Sequence, residues 1–305
     1  MASAWVGISG YSYGWEGLFY PEHLPKSHKR DFAVSQFNAI EINGSFYGMI
    51  PATAWVRYRE TAGDRPFRWT VKGNRYITHT RRMQDRTALA NFFATGVLEL
   101  GGTMGPIMWH VPPRTRWRPD VFERFLGWLP EDSDAAYRLA REHDDKVKEP
   151  HLTGAYEGAL THVMEIRSPH LIRREMFDML AQHQVGFVLT DSASDWPYAE
   201  EITSTVVYCR LHGHRETYAS RYTDEELDWW GERARAWMNG CDWKDPVRVT
   251  DRPVEQRPRD VYFFFDNDSL GHAPFDARRL AERLDAVPPT AEDHDSLFSR
   301  APGDE

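Results

Sequence analysis

The chain has 305 residues, of which 41% are hydrophobic and 27% are charged, a composition typical of a soluble globular protein with a large core. Its formal net charge of −9 disfavours a protein that coats nucleic acid nonspecifically. No apolar run approaches the ~20 residues of a membrane span, residues 1–10 lack a signal-peptide pattern, and Cys209 and Cys241 lack metal or redox spacing. We therefore expect a cytoplasmic protein with no membrane partner.

Eight short runs rich in β-branched and aromatic residues recur along the chain, and each predicts a β-strand. The runs lie at residues 5–10, 39–43, 67–72, 106–111, 162–167, 186–191, 205–212 and 261–268. Most of the segments between these runs are long enough to hold a crossover helix.

Several of the intervening segments carry helix signals. Pro119 begins a segment whose apolar residues share one helical face, and Pro274 begins the last such segment. Thr223 and Glu226 form a capping box ahead of another helix. Residues 131–156 are a charged insertion that predicts one extra helix with a loose loop. Residues 286–305 predict a disordered acidic tail.

The order of these elements predicts the fold class. Strands that alternate with helices indicate parallel pairing, because parallel neighbours need a crossover. A doubly wound open sheet is the alternative, but it usually has fewer strands, and no GxGxxG motif follows the first predicted strand. We therefore predict an α/β fold, a single parallel eight-stranded (β/α)₈ TIM barrel over residues 1–285.

Polar side chains collect at the predicted strand ends, which form one mouth in a parallel barrel. Residues two apart on a strand, such as Glu41 and Asn43, face the same side. The residues expected at this mouth are Glu41, Asn43, Lys72, Arg75, His79, His110, Glu165, Arg167, Asp191, Arg210, His212, Asp266 and Asn267. The rings expected to wall the pocket, on the first two βα loops, are Tyr11, Tyr13, Trp15 and Tyr47.

These residues also have purely structural interpretations. An acid at a strand end, such as Asp191 or Asp268, is typical of a helix N-cap. A pair such as Glu165 and Arg210 is typical of a salt bridge inside a barrel. His79 and His110 are each also consistent with an ordinary hydrogen-bonded histidine. So many ionisable groups at one end nevertheless favour a functional site, because their burial is costly unless they pair or react.

Short motifs in a fixed order along the chain support a family resemblance. They are Ser9-Gly10-Tyr11-Ser12-Tyr13 with Trp15, Phe19-Tyr20-Pro21, Leu24-Pro25, Glu41-Ile42-Asn43, Ser45-Phe46-Tyr47, Lys72 to Arg75, Ile77-Thr78-His79, Trp109 with Pro112-Pro113, Glu165-Ile166-Arg167, Tyr208 with Arg210-Leu211-His212-Gly213, and Phe265-Asp266-Asn267-Asp268. In these motifs the chain resembles the DUF72 (YecE-like) family. The resemblance implies a TIM barrel and supplies no established reaction.

The sequence departs from the family pattern at three places. Gly44 stands where the family often has Ser or Asn, and His110 stands where it commonly has Gln. The family often has a His directly after the Arg that corresponds to Arg167. Here Ser168 and Pro169 stand between Arg167 and His170. Roles for His110 and His170 therefore transfer less readily from the family.

The leading functional hypothesis is an enzyme that binds a small anionic substrate, with acid–base catalysis and no cofactor. Guanidinium and ammonium groups bind phosphate or carboxylate well. The residues expected to hold the anion are Lys72, Arg75, Arg167 and Arg210. The expected acid–base residues are Glu41 or Glu165 as general base, with His79 or His212 as proton partner. Asn43 and Asn267 would orient the substrate.

A metal-dependent hydrolase or isomerase, resembling endonuclease IV or xylose isomerase barrels, is the first alternative. Its ligands would be Glu41, Glu165, Asp191, Asp266 and a histidine, since acids and histidines suit divalent cations. Against it, Lys and Arg side chains stand among these acids and would repel a dication. The sequence also has no HxH, HExxH or CxxC spacing that would indicate a metal site.

A protein that binds nucleic acid or a partner without catalysis is the second alternative. Its basis is the basic segment from Arg65 to Arg86 and a second cluster at Arg114, Arg116 and Arg118. Rings beside cations suit single-stranded nucleic acid, although the acidic composition disfavours this alternative. No sequence feature predicts an oligomeric state.

Overall fold

Eight parallel strands form a closed barrel in chain order, with the last strand paired to the first. The computed structural model describes residues 2–288. The strands are β1 (Ala4–Ser9), β2 (Ala39–Ile42), β3 (Arg68–Lys72), β4 (Met104–Val111), β5 (His162–Ile166), β6 (Gly186–Asp191), β7 (Val206–Leu211) and β8 (Asp260–Phe265). The predicted TIM barrel is confirmed, and the predicted strands differ from these only at their ends. Because the sheet closes, the doubly wound alternative is wrong.

Helices follow most of the strands. They are α1 (Lys29–Gln36), α2 (Gly44–Tyr47), α3 (Ala52–Ala62), α4 (Arg86–Ala94), α5 (Pro119–Leu126), α6 (Ser133–Ala140), α7 (Arg174–Gln182), α8 (Asp224–Met238) and α9 (Ala273–Arg283). Short 3-10 helices lie at Lys26–His28, Val97–Thr103 and Pro169–Leu171, and a π-helical turn at Tyr76–Thr80. The predicted capping box is present. Thr223 Oγ1 accepts from the Glu226 amide at 3.2 Å, and the Thr223 amide donates to Glu226 Oε2 at 2.8 Å.

The connection from β6 to β7 contains no helix, unlike the expected repeat. Residues 192–205 instead pack against the segment between α8 and β8. The buried Glu201 accepts hydrogen bonds from the amides of Val249 and Thr250, each at 2.7 Å, and Arg252 donates to the carbonyl of Ile202 at 2.9 Å. This pair of segments replaces the missing helix, and the loop after β6 stays at the barrel mouth.

The predicted insertion at residues 131–156 holds one helix, α6, as expected. The rest of it is bonded to α4 and the turn after it rather than loose. Asn91 donates to Asp144 at 2.9 Å, and the amide of His151 donates to the carbonyl of Ala94 at 2.8 Å. Of the predicted acidic tail, residues 289–305 lie outside the described residues. No helix within residues 2–288 is long and apolar enough to cross a bilayer.

The core has two layers, as the alternation of strand side chains requires. The outer layer lies between the strands and the surrounding helices. The inner layer fills the barrel and consists of Trp5, Ala39, Met108, Val163, Val188, Tyr208, Tyr262 and Phe264. Above this inner layer, toward the carboxyl ends of the strands, the inward side chains are polar or charged.

Candidate functional site

One arginine on β7 organises the barrel mouth. Arg210 is completely buried, and its Nη1 donates to both carboxylate oxygens of Glu165 on β5, at 3.0 and 3.2 Å. Its Nη2 donates to Ser9 Oγ at 2.7 Å, to Glu41 Oε1 at 2.8 Å and to Asp266 Oδ2 at 3.0 Å. A single cation therefore joins three carboxylates that come from different parts of the chain.

Glu41 on β2 holds Arg210 from the far side of the barrel. Ser9 Oγ donates to Glu41 Oε1 at 2.6 Å, and the hydroxyl of Tyr208 donates to Oε2 at 2.7 Å. Asn43 in turn donates to Ser9 Oγ at 3.1 Å. Strand register explains the contact, because Ser9 and Glu41 are paired across β1 and β2. The Glu41 carboxylate is thus fixed by three neighbours in a fully buried position.

His212 connects the other two carboxylates. Its Nε2 lies 3.1 Å from Glu165 Oε1, and its Nδ1 lies 2.9 Å from Asp266 Oδ2. The rings of Trp196 and Tyr218, from the loops after β6 and β7, pack edge-on against the imidazole at 5.1 and 5.6 Å between centroids. These loops enclose His212 completely.

Neighbouring positively charged side chains keep the carboxylates of Glu165 and Asp266 ionised. Burial alone would raise the pKa of Glu165, but the charges of Arg167 and Arg210 hold it well below its usual range. Burial likewise opposes the charge on Asp266, and Arg210 together with His212 keeps its pKa low. A carboxylate with a lowered pKa is a weak proton acceptor, so this cluster is better suited to holding charges in place.

These lowered pKa values predict acid sensitivity. A carboxylate whose pKa is lower in the folded state stabilises the protein above its unfolded pKa, and that contribution is lost as the pH falls through the folded value. We expect the free energy of unfolding to decline below about pH 4. Urea denaturation between pH 7 and pH 3 should show a shallower decline for Glu165→Gln than for the wild type. Parallel curves would contradict this assignment.

The side of the mouth formed by β3 to β5 is cationic. Lys72 ends β3, is 9% exposed, and its Nζ lies 4.8 Å from the centroid of the Phe46 ring. Among residues 2–288, no carboxylate forms a salt bridge with this ammonium and no acceptor binds it. Burial and then the charge of Arg210 lower the pKa of Lys72, although Glu41 and Glu165 oppose the change.

Two histidines pack beside Lys72 around the same phenyl ring. Phe46 lies 5.2 Å from His79 and 5.8 Å from His110 between centroids, and the imidazoles are 4.9 Å apart. His79 sits on the π-helical turn, a feature often found at functional sites. Burial lowers the pKa of both histidines, and the charges of Lys72 and Arg167 lower it further. Both imidazoles are therefore neutral at pH 7.

Arg167 completes the cationic side, just beyond β5. Its guanidinium carbon lies 3.6 Å from the centroid of the Trp196 ring. Its Nη2 donates to Glu165 at 3.1 Å and its Nη1 donates to the Tyr218 hydroxyl at 3.2 Å. Stacking and two hydrogen bonds fix the orientation of the guanidinium plane.

Several buried polar atoms at the mouth lack a hydrogen-bond partner among the described residues. They are Nδ1 and Nε2 of His110, Nε of Arg167, Nε of Arg210, Oγ1 of Thr190 and Oδ1 of Asn43. Buried polar groups are rarely left unpaired, and each one needs an explanation. Most of these atoms are donors or neutral imidazole nitrogens, so they are available to hydrogen-bond with a polar ligand or an ordered water.

Comparison with known proteins identifies the family. The model of DUF72, described as "Protein of unknown function DUF72", matches residues 5–296. The chain belongs to the DUF72 family. The resemblance inferred from its motifs is therefore confirmed, and the motifs that end β2, β5, β7 and β8 supply the Arg210 network of this DUF72 chain.

Two solved structures are similar to this DUF72 chain. A DUF72 family protein from Thermotoga maritima MSB8 has a TM-score of 0.68 at 21% identity, with 93% of this chain and 99% of that chain covered. A DUF72 family protein from Enterococcus faecalis V583 has a TM-score of 0.66 at 13% identity, with 92% and 95% covered. At these identities the likeness shows the fold alone. None of the curated proteins compared with the chain matches it.

Two of the predicted rings on the β1 loop, those of Tyr13 and Trp15, pack together beside the end of β8. The Tyr13 hydroxyl donates to the carbonyl of Ser9 at 2.6 Å, and its ring stacks on Trp15 at 4.4 Å. Burial and then Asp266 raise the pKa of Tyr13, and the same two causes raise the pKa of Asp268. Tyr13 and Asp268 therefore lie beside the Asp266 carboxylate at the end of β8.

Other predicted site residues lie at the rim or outside the network. Tyr47 is 72% exposed, with Arg75 over its ring at 5.9 Å, so both lie on the rim. Tyr11 points away, and its hydroxyl lies 2.9 Å from that of Tyr58. Asn267 is buried and donates to a carboxylate of α9 at 2.9 Å, which is a structural contact.

Asp191 is not brought into the Arg210 network. Its neighbour Thr190 pairs with Arg210 in register, so Asp191 faces the outer side of the barrel. Its carboxylate lies 2.9 Å from His214 Nδ1 and accepts from the Tyr222 hydroxyl at 2.7 Å, beside a separate cavity of about 560 Å³.

The N-cap interpretation of the strand-end acids is wrong. No helix follows β6, so Asp191 has no helix to cap. The helix after β8, α9, begins at Ala273 with His272 as its N-cap, so Asp268 does not cap it either. Asp268 lies five residues before the first residue of α9, a separation that the sequence pattern did not reveal.

Three of the acids proposed as metal ligands surround Arg210. Within residues 2–288, no group of three or more His, Cys, Asp or Glu side chains is arranged to hold a metal ion. Glu41, Glu165 and Asp266 converge on Arg210, whose guanidinium occupies the position that a cation would need.

The basic segment from Arg65 to Arg86 does not form one continuous surface. Because β3 runs the length of the barrel, Arg68 lies at its amino-terminal end and Lys72 at its carboxyl-terminal end. Farther along, Arg81 pairs with Asp85 at 2.6 Å, and Arg86 pairs with a glutamate of the insertion at 2.7 Å.

Five residues of the site were not predicted as site residues, although Ser9, Phe46 and Tyr208 stand in the family motifs. Ser9 and Tyr208 are inward strand positions, and counting two residues back from Arg210 would have indicated Tyr208. Phe46 lies on the short helix α2 after β2, and Trp196 and Tyr218 lie on loops after β6 and β7. A ring on a loop carries no periodic signal, so only the position of these loops over the mouth reveals their role.

Proposed function

We propose that this protein is an enzyme whose barrel mouth binds a small phosphate- or carboxylate-bearing substrate and transfers protons without a metal. One observation carries the proposal. Lys72, His110 and Arg167, at the ends of three consecutive strands, offer hydrogen-bonding atoms with no acceptor among the described residues. An anion between them would accept hydrogen bonds from Lys72, from Arg167 and from the protonated nitrogen of His110, and Arg167 would bind it through a fixed guanidinium plane.

Arg210 is among the residues that the sequence predicts to hold the anion, but its contacts support a different role. Arg210 is already bonded to three carboxylates, so it is a positioning residue and leaves anion binding to Lys72 and Arg167. Neighbouring strands lie ~4.8 Å apart, so β3 and β5, on either side of β4, are roughly 10 Å apart, and their side chains can reach one small ligand.

Proton transfer is best assigned to His79 among the predicted acid–base residues. Its side chain is half-buried on the π-helical turn, and its lowered pKa makes it a neutral acceptor at pH 7. Its Nδ1 lies 2.8 Å from the hydroxyl of Thr78, which orients the ring. Glu41, Glu165 and His212 stay predictions for this role, and all three are enclosed by their partners.

Calorimetric titration tests the proposal directly. We expect inorganic phosphate and pyruvate to bind at constant ionic strength, and their neutral counterparts, such as acetone, not to bind. Lys72→Met should weaken phosphate binding by about tenfold, because it removes one charged donor. Lys72→Arg, which keeps the charge, should retain most of the affinity. Equal binding of neutral compounds, or full affinity in Lys72→Met, would overturn the proposal.

A further inference from the structure

The chain has six lysines, at positions 26, 29, 72, 146, 148 and 244, and Lys72 differs from the others in its surroundings. The buried Lys29 is bonded to Glu16 at 2.5 Å and to the carbonyl of Tyr13 at 2.5 Å. The exposed Lys146 is bonded to Asp144 at 3.2 Å. Lys72 is buried at the mouth with Phe46 against its Nζ and no bound acceptor among residues 2–288.

The surroundings of Lys72 make its ammonium easier to deprotonate than that of an exposed lysine. Burial and the nearby charge of Arg210 lower its pKa, and the opposing carboxylates of Glu41, Glu165 and Asp266 are already bonded to Arg210. The histidines that face Lys72, at positions 79 and 110, have lowered pKa values and add no positive charge at pH 7. A desolvated amine without an ion pair is an activated nucleophile.

We propose that Lys72 is a nucleophile that forms a Schiff base with an aldehyde or ketone bearing a phosphate or carboxylate group. The inference rests on the proposed function, since Arg167 and His110 would hold the anionic group while Lys72 reaches the carbonyl carbon. The ligand class is therefore a small anionic carbonyl compound.

The reaction balances with the groups present. The Nζ lone pair forms a bond to the carbonyl carbon, and the π electrons of the carbonyl move to its oxygen, which takes up a proton. The nitrogen of this carbinolamine then loses one proton. The hydroxyl on the former carbonyl carbon is protonated and leaves as water. The product is a protonated iminium at Nζ, formed from amine, carbonyl compound and one proton. His79 is placed to move these protons.

The iminium keeps the positive charge that an ammonium at Nζ would supply. An anionic group bound to Arg167 therefore remains electrostatically stabilised after the carbon–nitrogen bond forms. The Phe46 ring and the loop rings of Trp196 and Tyr218 limit water around the mouth, which slows hydrolysis of the iminium.

Trapping of the iminium by reduction tests the inference. The full-length protein is incubated with pyruvate, a carboxylated ketone, or with glycolaldehyde phosphate, a phosphorylated aldehyde, and reduced with sodium cyanoborohydride. Hydride addition to the iminium carbon gives a stable secondary amine, which peptide mass spectrometry locates. We expect Lys72 to be labelled at least about tenfold more than Lys146 at pH 7, and inorganic phosphate to suppress the label.

Variants and internal controls complete the design. Lys72→Arg should remove this adduct while it retains phosphate binding, and the buried, bonded Lys29 should stay unlabelled. Labelling of Lys72 should also persist to lower pH than that of Lys146, whose pKa is raised by its hydrogen bond to Asp144.

Calorimetry and labelling together distinguish the absence of a Schiff base from the absence of an anion site. If calorimetry shows phosphate and pyruvate binding but neither probe labels Lys72 above Lys146, the Schiff base is overturned and the anion site stands. If phosphate does not bind, the anion site is overturned as well. A label that phosphate does not suppress would also count against the inference.

Discussion

Replacing Arg210 by methionine should destabilise the protein by about 4 kcal/mol or more, the largest effect that we expect from a single substitution. The substitution would leave Glu41, Glu165 and Asp266 close together inside the barrel without the guanidinium that bonds to all of them. A buried charge without a partner is far more costly than the pair is stabilising. Urea denaturation at pH 7 measures the loss.

Two comparisons make this measurement specific. Arg174 on α7 is exposed, and Arg174→Met should change the free energy of unfolding by about 0.5 kcal/mol or less. Combining Arg210→Met with Glu165→Gln should cost less than the sum of the single changes, because one orphaned charge is removed. A loss below about 1 kcal/mol in Arg210→Met would contradict the role assigned to the network.

Replacing Arg167 by methionine should weaken phosphate binding by about 2.5 kcal/mol, or roughly 70-fold. Arg167 is held by Trp196 and Tyr218, and its Nε has no partner within residues 2–288. Its geometry is therefore already set for an anion, and little entropy is lost on binding. Calorimetric titration with phosphate at fixed ionic strength measures the change.

The control variants separate positioning from charge. Trp196→Leu keeps the guanidinium but removes its stacking surface, so we expect a smaller loss of phosphate affinity than in Arg167→Met. Arg57 is exposed on α3, and Arg57→Met should leave the affinity unchanged within error. An Arg167→Met variant that is folded by circular dichroism and binds phosphate normally would remove Arg167 from the site.

The fold followed closely from the sequence because barrel strands are short, apolar and separated by helix signals. The strand 186–191 was predicted to the residue, and Pro119 and Thr223 mark helix starts as expected. The missing helix between β6 and β7 had no such signal, since its place is taken by a segment distant in sequence whose contacts depend on Glu201.

The candidate site was predictable where strand alternation determines the direction of a side chain. Glu41, Glu165 and Arg210 lie within regular strands and converge as expected. Asp191 and Asn267 lie at or after the last residue of a strand, where register and loop path decide the direction, and both point elsewhere. Whether the pair of Glu165 and Arg210 was structural or catalytic could not follow from sequence, because it depends on a third and fourth partner.

The most direct test of the anion site is a crystal structure of the protein soaked with selenate, whose anomalous signal locates an anion without ambiguity. We expect a selenate between the Lys72 ammonium and the Arg167 guanidinium, within hydrogen-bond distance of His110. An anion bound elsewhere on the molecule, with the mouth between β3 and β5 free of selenate at a concentration that saturates the protein, would contradict the account.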